Sequence, residues 1–128
     1  MNKFAFGAML AATTALAPFT AAAQTEIQFW HAFTGRLAEL LDEQVAGFNT
    51  GQSDYKVTAT PKGNYSEALN AGIAAFRAGE QPHILQVFEV GTASMMAAKG
   101  AIKPVYEVMA ESGLPFDPKA YLSAVTGY

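Results

Sequence analysis

Apolar residues recur along this chain with two different periods, and the switches between them mark out its elements. Residues 26–30, Glu-Ile-Gln-Phe-Trp, alternate and then turn aromatic, which predicts a first strand with His31 at its carboxyl end. Thr34-Gly35 then opens a helical pattern: Leu37, Leu41, Val45 and Phe48 fall at i, i+4, i+8 and i+11, with Leu40 widening the stripe. That pattern runs to Phe48, and residues 49–53 are polar and turn-like. Residues 55–60, Tyr-Lys-Val-Thr-Ala-Thr, alternate again and are rich in β-formers, a second strand.

The most informative stretch is 61–96. Asn64 and Glu67 have the spacing of a capping box, and Leu69, Ile73 and Phe76 at i, i+4 and i+7 give the following helix one apolar face. Gly79 suits the left-handed residue that ends a helix, and Pro82 follows at the usual distance. Residues 83–88, His-Ile-Leu-Gln-Val-Phe, form a mostly apolar run of strand length, and Glu89 and Gly91 follow at once. Residues 92–98 read as a short helix ended by Gly100, and 102–104 as an extended link. Residues 105–112 read as a helix stopped by Gly113, and Asp117-Pro118 as the cap and first turn of a last helix reaching Ala124. The order β, α, β, α, β, α predicts an α/β fold with a mainly parallel sheet and right-handed crossovers. A carboxylate just past a buried strand, as Glu89 is, stands where open α/β sheets make ligand contacts.

Composition adds a destination and several exclusions. Residues 1–23 carry a positive Lys3, an Ala- and Thr-rich apolar run over 4–16, and an Ala21-x-Ala23 pattern, the signature of an export signal cleaved before Gln24. A membrane anchor is the weaker reading, because that run lacks strongly apolar residues. The 128-residue length allows one domain. With no cysteine there is no disulfide framework and no thiolate metal site. The net charge of −3 and the absence of a basic patch argue against nucleic acid as a partner. There is no GxSxG, Walker or HExxH pattern, so no catalytic constellation is visible, and His31 and His83 have no credible third metal ligand.

Among the candidate contacts, Glu89 comes first. An ionised carboxylate only accepts hydrogen bonds, so in a cleft it suits hydroxyls and repels phosphate; the alternative is an ordinary acid at a helix start. Tyr65 is second, a ring with one donor able to meet a hydroxyl or phosphate oxygen, or else a packing side chain at the helix start. Trp30 and His31 read equally as ligand contacts and as a core pair, and Lys62 reads as a solvated loop lysine that could attract an anion. Gly91-Thr92 at a helix start could offer backbone donors to an anion. Met95 and Met96 read as packing.

The segments KGNY (62–65), AGIAAFRAG (71–79) and ILQVFEVGTASMMAAKGAIKPVYEV (84–108) resemble the periplasmic glycerol-3-phosphate-binding proteins of ABC importers, members of the extracellular solute-binding family. The FWH at 29–31 and the AGIAAFR block are shared more loosely with carbohydrate-binding members. The likeness runs from Ile27 to Tyr128. It implies the start of one lobe of a two-lobe, type II-like clamshell receptor, with the mature residues 24–128 as a partial amino-terminal lobe and the second lobe absent. It implies a periplasmic protein without catalysis or cofactor. Its ligand would be sn-glycerol 3-phosphate or a related polyol phosphate such as a glycerophosphodiester, handed to permease subunits at the membrane. It also carries ligand-contact roles onto Tyr65 of KGNY and Glu89 of EVGT. By charge, the phosphate should be met by an Arg or Lys from beyond Tyr128. Alternatives are a sugar or oligosaccharide receptor, an exported hydrolase, and a truncated product without independent activity.

Overall fold

The computed structural model describes residues 23–126. The expected export signal falls on residues 1–22, outside the described residues, with only Ala23 at its end inside them. The elements are β1 (Thr25–His31), α1 (Gly35–Gly51), β2 (Tyr55–Pro61), α2 (Tyr65–Ala78), β3 (Ile84–Leu85), α3 (Glu89–Ala97) and α4 (Val105–Glu111). A 3₁₀ turn (Pro118–Ala120) and α5 (Ser123–Thr126) complete the described chain.

The three strands form a parallel sheet in the order β2-β1-β3. β1 pairs with β2 along its whole length, from Thr25 opposite Tyr55 to His31 opposite Pro61. It pairs with β3 only through Phe29 opposite Ile84 and Trp30 opposite Leu85. β1 is the central strand, and its apolar residues are Ile27, Phe29 and Trp30, in the half-buried part of the strand. Helix α1 packs on β2, and α2 packs on β1 and β3.

The third strand is shorter than the apolar run 83–88 predicts, and side chains explain why. On one side of the ladder the main-chain N–H of Gln28 donates to His83 Nδ1 at 3.0 Å instead of to a carbonyl. On the other, Gln86 N–H donates to the Trp30 carbonyl at 2.9 Å, and the Gln86 side-chain oxygen accepts from Ala32 N–H at 2.8 Å. The segment stays tied to β1, but two of its links are imidazole and amide groups.

Helix α1 runs on to Gly51, through residues that read as a turn. The Asn49 amide donates to the Val57 carbonyl and accepts from Val57 N–H, both at 2.8 Å, as a strand's peptide group would. Gln52 then accepts from Asp54 and Tyr55 N–H, each at 2.8 Å, and closes the chain onto β2. Polar side chains thus do the work expected of a loop backbone. Helix α3 starts at Glu89, three residues before the expected 92, and the Gly91 N–H is spent on the Phe88 carbonyl at 2.9 Å, so it is no anion donor. The single last helix is also corrected. The Asp117 side chain caps Lys119 N–H, but Tyr121 is extended (φ −104°, ψ 155°), so a 3₁₀ turn and a separate short helix replace it.

Burial is shallow. Ala32, Leu41 and Ala68 are the buried apolar residues among those described, and no large side chain is fully enclosed. Of the α1 stripe, Leu41 is covered while Leu37 and Phe48 remain exposed. Two glycines permit the closest approaches. A Cβ on Gly72 of α2 would stand 2.4 Å from Leu85 Cδ2, and one on Gly91 would stand 2.8 Å from Val87 Cγ1 and 3.0 Å from Leu69 Cδ2. An open apolar groove of about 860 Å³ lies against β3, lined in part by Ile73, Phe76, Ile84, Met95, Ile102 and Val108. Met96 also borders it and is 72% exposed, so the expected packing role holds only for Met95 among the described contacts.

Candidate functional site

All three strands point the same way, so their carboxyl ends share one edge of the sheet. β1 ends in Trp30-His31, β2 leads through Lys62 to Tyr65, and β3 leads through Phe88 to Glu89. The β1–α1–β2 crossover moves to one side of β1 and the β2–α2–β3 crossover to the other. The order therefore reverses beside β1, the position where open α/β sheets bind ligands.

Tyr65 is set by the turn before it. Asn64 Oδ1 accepts from Glu67 N–H at 3.0 Å and Glu67 Oε2 accepts from Asn64 N–H at 2.7 Å, the reciprocal pair the sequence spacing predicts. Tyr65 is then the first residue of α2, and its ring stacks on Phe88 with centroids 5.5 Å apart and planes 27° apart. This contact joins the segments that follow β2 and β3. The ring is 42% exposed, and its hydroxyl has no hydrogen-bond partner among the described residues. Glu89 is exposed in the first turn of α3, where the helix dipole favours an acid, and its carboxylate likewise has no partner among the described residues. The bland reading of Glu89, an acid at a helix start, is therefore true of its position and leaves both oxygens free to accept.

Lys62 lies with Nζ 3.9 Å from the centre of the Trp30 ring, and its N–H donates to the His31 carbonyl at 2.8 Å. The indole face it covers is not open for stacking on a sugar. His31 is 3% exposed, takes the Phe33 N–H on Nδ1 at 3.2 Å, and packs between Phe29 and Phe33 with ring centroids 6.0 and 6.1 Å away. An accepting Nδ1 leaves the proton of the neutral ring on Nε2. With His83 holding Gln28, both histidines serve the fold. No group of three side chains able to hold a metal occurs among the described residues.

Phe88 and Gln86 are the site's neighbours that sequence reasoning passed over. Both lie in the apolar run before Glu89, and the signal was their place at the end of a strand whose partner, Trp30, was already suspected. No described helix is long and apolar enough to cross a membrane.

No protein-family model matches the chain. It is 51% identical over 122 residues to the sn-glycerol-3-phosphate-binding periplasmic protein UgpB of Agrobacterium fabrum, across 93% of this chain and 28% of that protein. With the protein of the same name from Escherichia coli K12 it is 53% identical over 108 residues, across 84% of this chain and 24% of that protein. The chain is a homologue of these binding proteins. It spans about a quarter of the length of the curated relatives it matches. The parallel sheet with flanking helices agrees with the start of one lobe of a periplasmic-binding-protein fold. These relatives are binding proteins by name, not enzymes.

Proposed function

We propose that this chain supplies one wall of an sn-glycerol 3-phosphate site in the substrate-binding component of an ABC importer. It is exported by cleavage after Ala23, works in the periplasm, and delivers its ligand to permease subunits. The process is capture and release between two lobes, with no bond made or broken. Glu89 accepts hydrogen bonds from the glycerol hydroxyls and, by its charge, turns the phosphate away from itself. Tyr65 donates from the segment after β2 to a hydroxyl or phosphate oxygen. Glycerophosphodiesters, which keep a glycerol end, fit the same wall. The cationic group for the phosphate comes from elsewhere in the longer protein.

The observation that supports this reading is the ring contact that joins the segments carrying the two motif residues. Tyr65 and Glu89 follow different strands, yet Tyr65 stacks on the residue next to Glu89, and both keep their polar atoms free among the described residues. The identity to the relatives supports the ligand class. The test joins this chain to the remaining length of the Agrobacterium fabrum relative and titrates sn-glycerol 3-phosphate by calorimetry. Glu89→Gln, which replaces one acceptor with a donor, should weaken binding by about 1.5–3 kcal/mol, and Tyr65→Phe by about 0.5–1.5 kcal/mol. Unchanged affinity in both variants rejects the assignment. Mass spectrometry of exported protein should find Gln24 at the mature amino terminus, and an intact Met1 would overturn the export reading.

A further inference from the structure

We propose that Lys62 is the positioning residue of this site: its ammonium, seated on Trp30, fixes the turn from which Tyr65 is presented. The inference rests on the reading of Tyr65 as a ligand contact, but its geometry stands independently.

Four observations converge on the three residues between β2 and α2. The Lys62 N–H is held by the His31 carbonyl at 2.8 Å, which continues the β1–β2 pairing one step beyond the strands. Its Nζ lies 3.9 Å from the Trp30 ring centre, so the side chain folds back over β1 instead of extending into solvent. Gly63 has φ +81°, and a Cβ there would stand 2.0 Å from Glu67 Oε2, so the capping carboxylate occupies the space where a side chain would be. Asn64 and Glu67 then close the capping box. Gly63 is the one residue of the turn with wide conformational freedom, and it is clamped from both sides: by the capping box after it and by Lys62 before it. The capping box fixes the direction of α2 relative to the turn. The Lys62–Trp30 contact, with its backbone bond, ties the turn to the central strand one residue beyond the β1–β2 ladder. Tyr65 inherits both constraints, and its ring reaches Phe88 at 5.5 Å.

The same contact has a consequence for selectivity. An ammonium over an indole face is attracted by the ring's quadrupole and competes with any apolar sugar face for that surface. Lys62 thus turns an aromatic residue that could serve as a stacking platform into an anchor, and leaves recognition to hydrogen bonds from Tyr65 and Glu89.

The experiment uses the full chain without ligand, in which Trp30 is the only tryptophan. Wild type, Lys62→Met and Lys62→Arg are compared by NMR and by tryptophan emission. Methionine keeps an apolar stem of similar reach and removes the charge; arginine keeps a cation that can stack. The wild type should show Lys62 side-chain methylene signals displaced by the indole ring, and contacts between the Tyr65 and Phe88 rings. In Lys62→Met the Tyr65–Phe88 contacts should weaken by about two- to fivefold, the loss a cation–π contact of this kind represents, with altered Trp30 emission. Lys62→Arg should restore them, and the amide signals of the β1–β2 ladder should be unchanged in all three proteins. Full Tyr65–Phe88 contacts in Lys62→Met, failure of arginine to rescue, or loss of the ladder signals together with the ring contacts would each overturn the positioning role. Because no ligand enters the measurement, its failure leaves the Tyr65 contact standing, and failure of the Tyr65 contact leaves this geometry standing.

Discussion

From β1 to residue 86 polar side chains are engaged with the main chain, while from α4 onward apolar ones stand in the open. In the first region Asn49, Gln52, His83 and Gln86 each bond main-chain groups of a strand or of the chain next to it, and Leu41 and Ala68 are buried. In the second, Val105 is 62% exposed and Leu122 79% exposed, and order rests on local helical bonds, a Phe116–Tyr121 ring contact and a surface Lys103–Glu111 ion pair. The second region is the richer of the two in apolar residues, so the difference is one of partners rather than of composition. A side chain contributes through burial only when some other element covers it. The first region finds part of that cover within the sheet it belongs to; the second meets it across an open groove that leaves Val105 and Val108 exposed.

That contrast can be broken by substitution. Leu41→Ala removes the main apolar anchor of α1 and should cost about 2–5 kcal/mol in urea unfolding, whereas Leu122→Ala should stay within about 0.5 kcal/mol. Equal losses at the two positions would mean that the second region is as well packed as the first. Gly72→Ala drives a methyl group toward Leu85 and should destabilise by about 1–3 kcal/mol, the usual cost of overpacking. A neutral result would mean that α2 can lift off β3 without loss. Asn64→Ala removes the cap of α2 and should cost about 1 kcal/mol. The effect should be concentrated in the amide exchange of the first turn of α2, next to Tyr65.

How much of this was legible in the sequence follows the same line. The capping box of Asn64 and Glu67 and the left-handed Gly79 are local signals that appear in the structure as read, and the alternating segments form β1 and β2, although burial along them does not alternate. What escaped depends on a distant partner. Nothing near residue 49 says that its amide will pair with Val57, so a helix end looked like a turn. An apolar run such as 83–88 cannot reveal that His83 and Gln86 use side chains to take the place of ladder bonds. Nothing local says that Gly72 and Gly91 are required by close neighbours, Leu85 for the first and Val87 and Leu69 for the second. Asp117-Pro118 specified a first turn and nothing beyond it, so the last helix was drawn too long. For the site, Tyr65 and Glu89 were legible as motif residues, but the Phe88 stack that links them was not.

The central claim is that this chain holds one side of a two-sided site. Two hydrogen-bonding side chains, worth about 1.5–3 kcal/mol for Glu89 and about 0.5–1.5 kcal/mol for Tyr65, fall short of the roughly 8 kcal/mol of a micromolar complex. The most direct measurement is a calorimetric titration of sn-glycerol 3-phosphate into two proteins: residues 24–128 alone, and the same residues joined to the rest of the Agrobacterium fabrum relative. The account predicts no saturable binding at micromolar concentration in the first. In the second it predicts micromolar binding that Glu89→Gln weakens by about 10- to 150-fold. Micromolar binding by residues 24–128 alone, or binding by the joined protein that ignores Glu89→Gln, would contradict it.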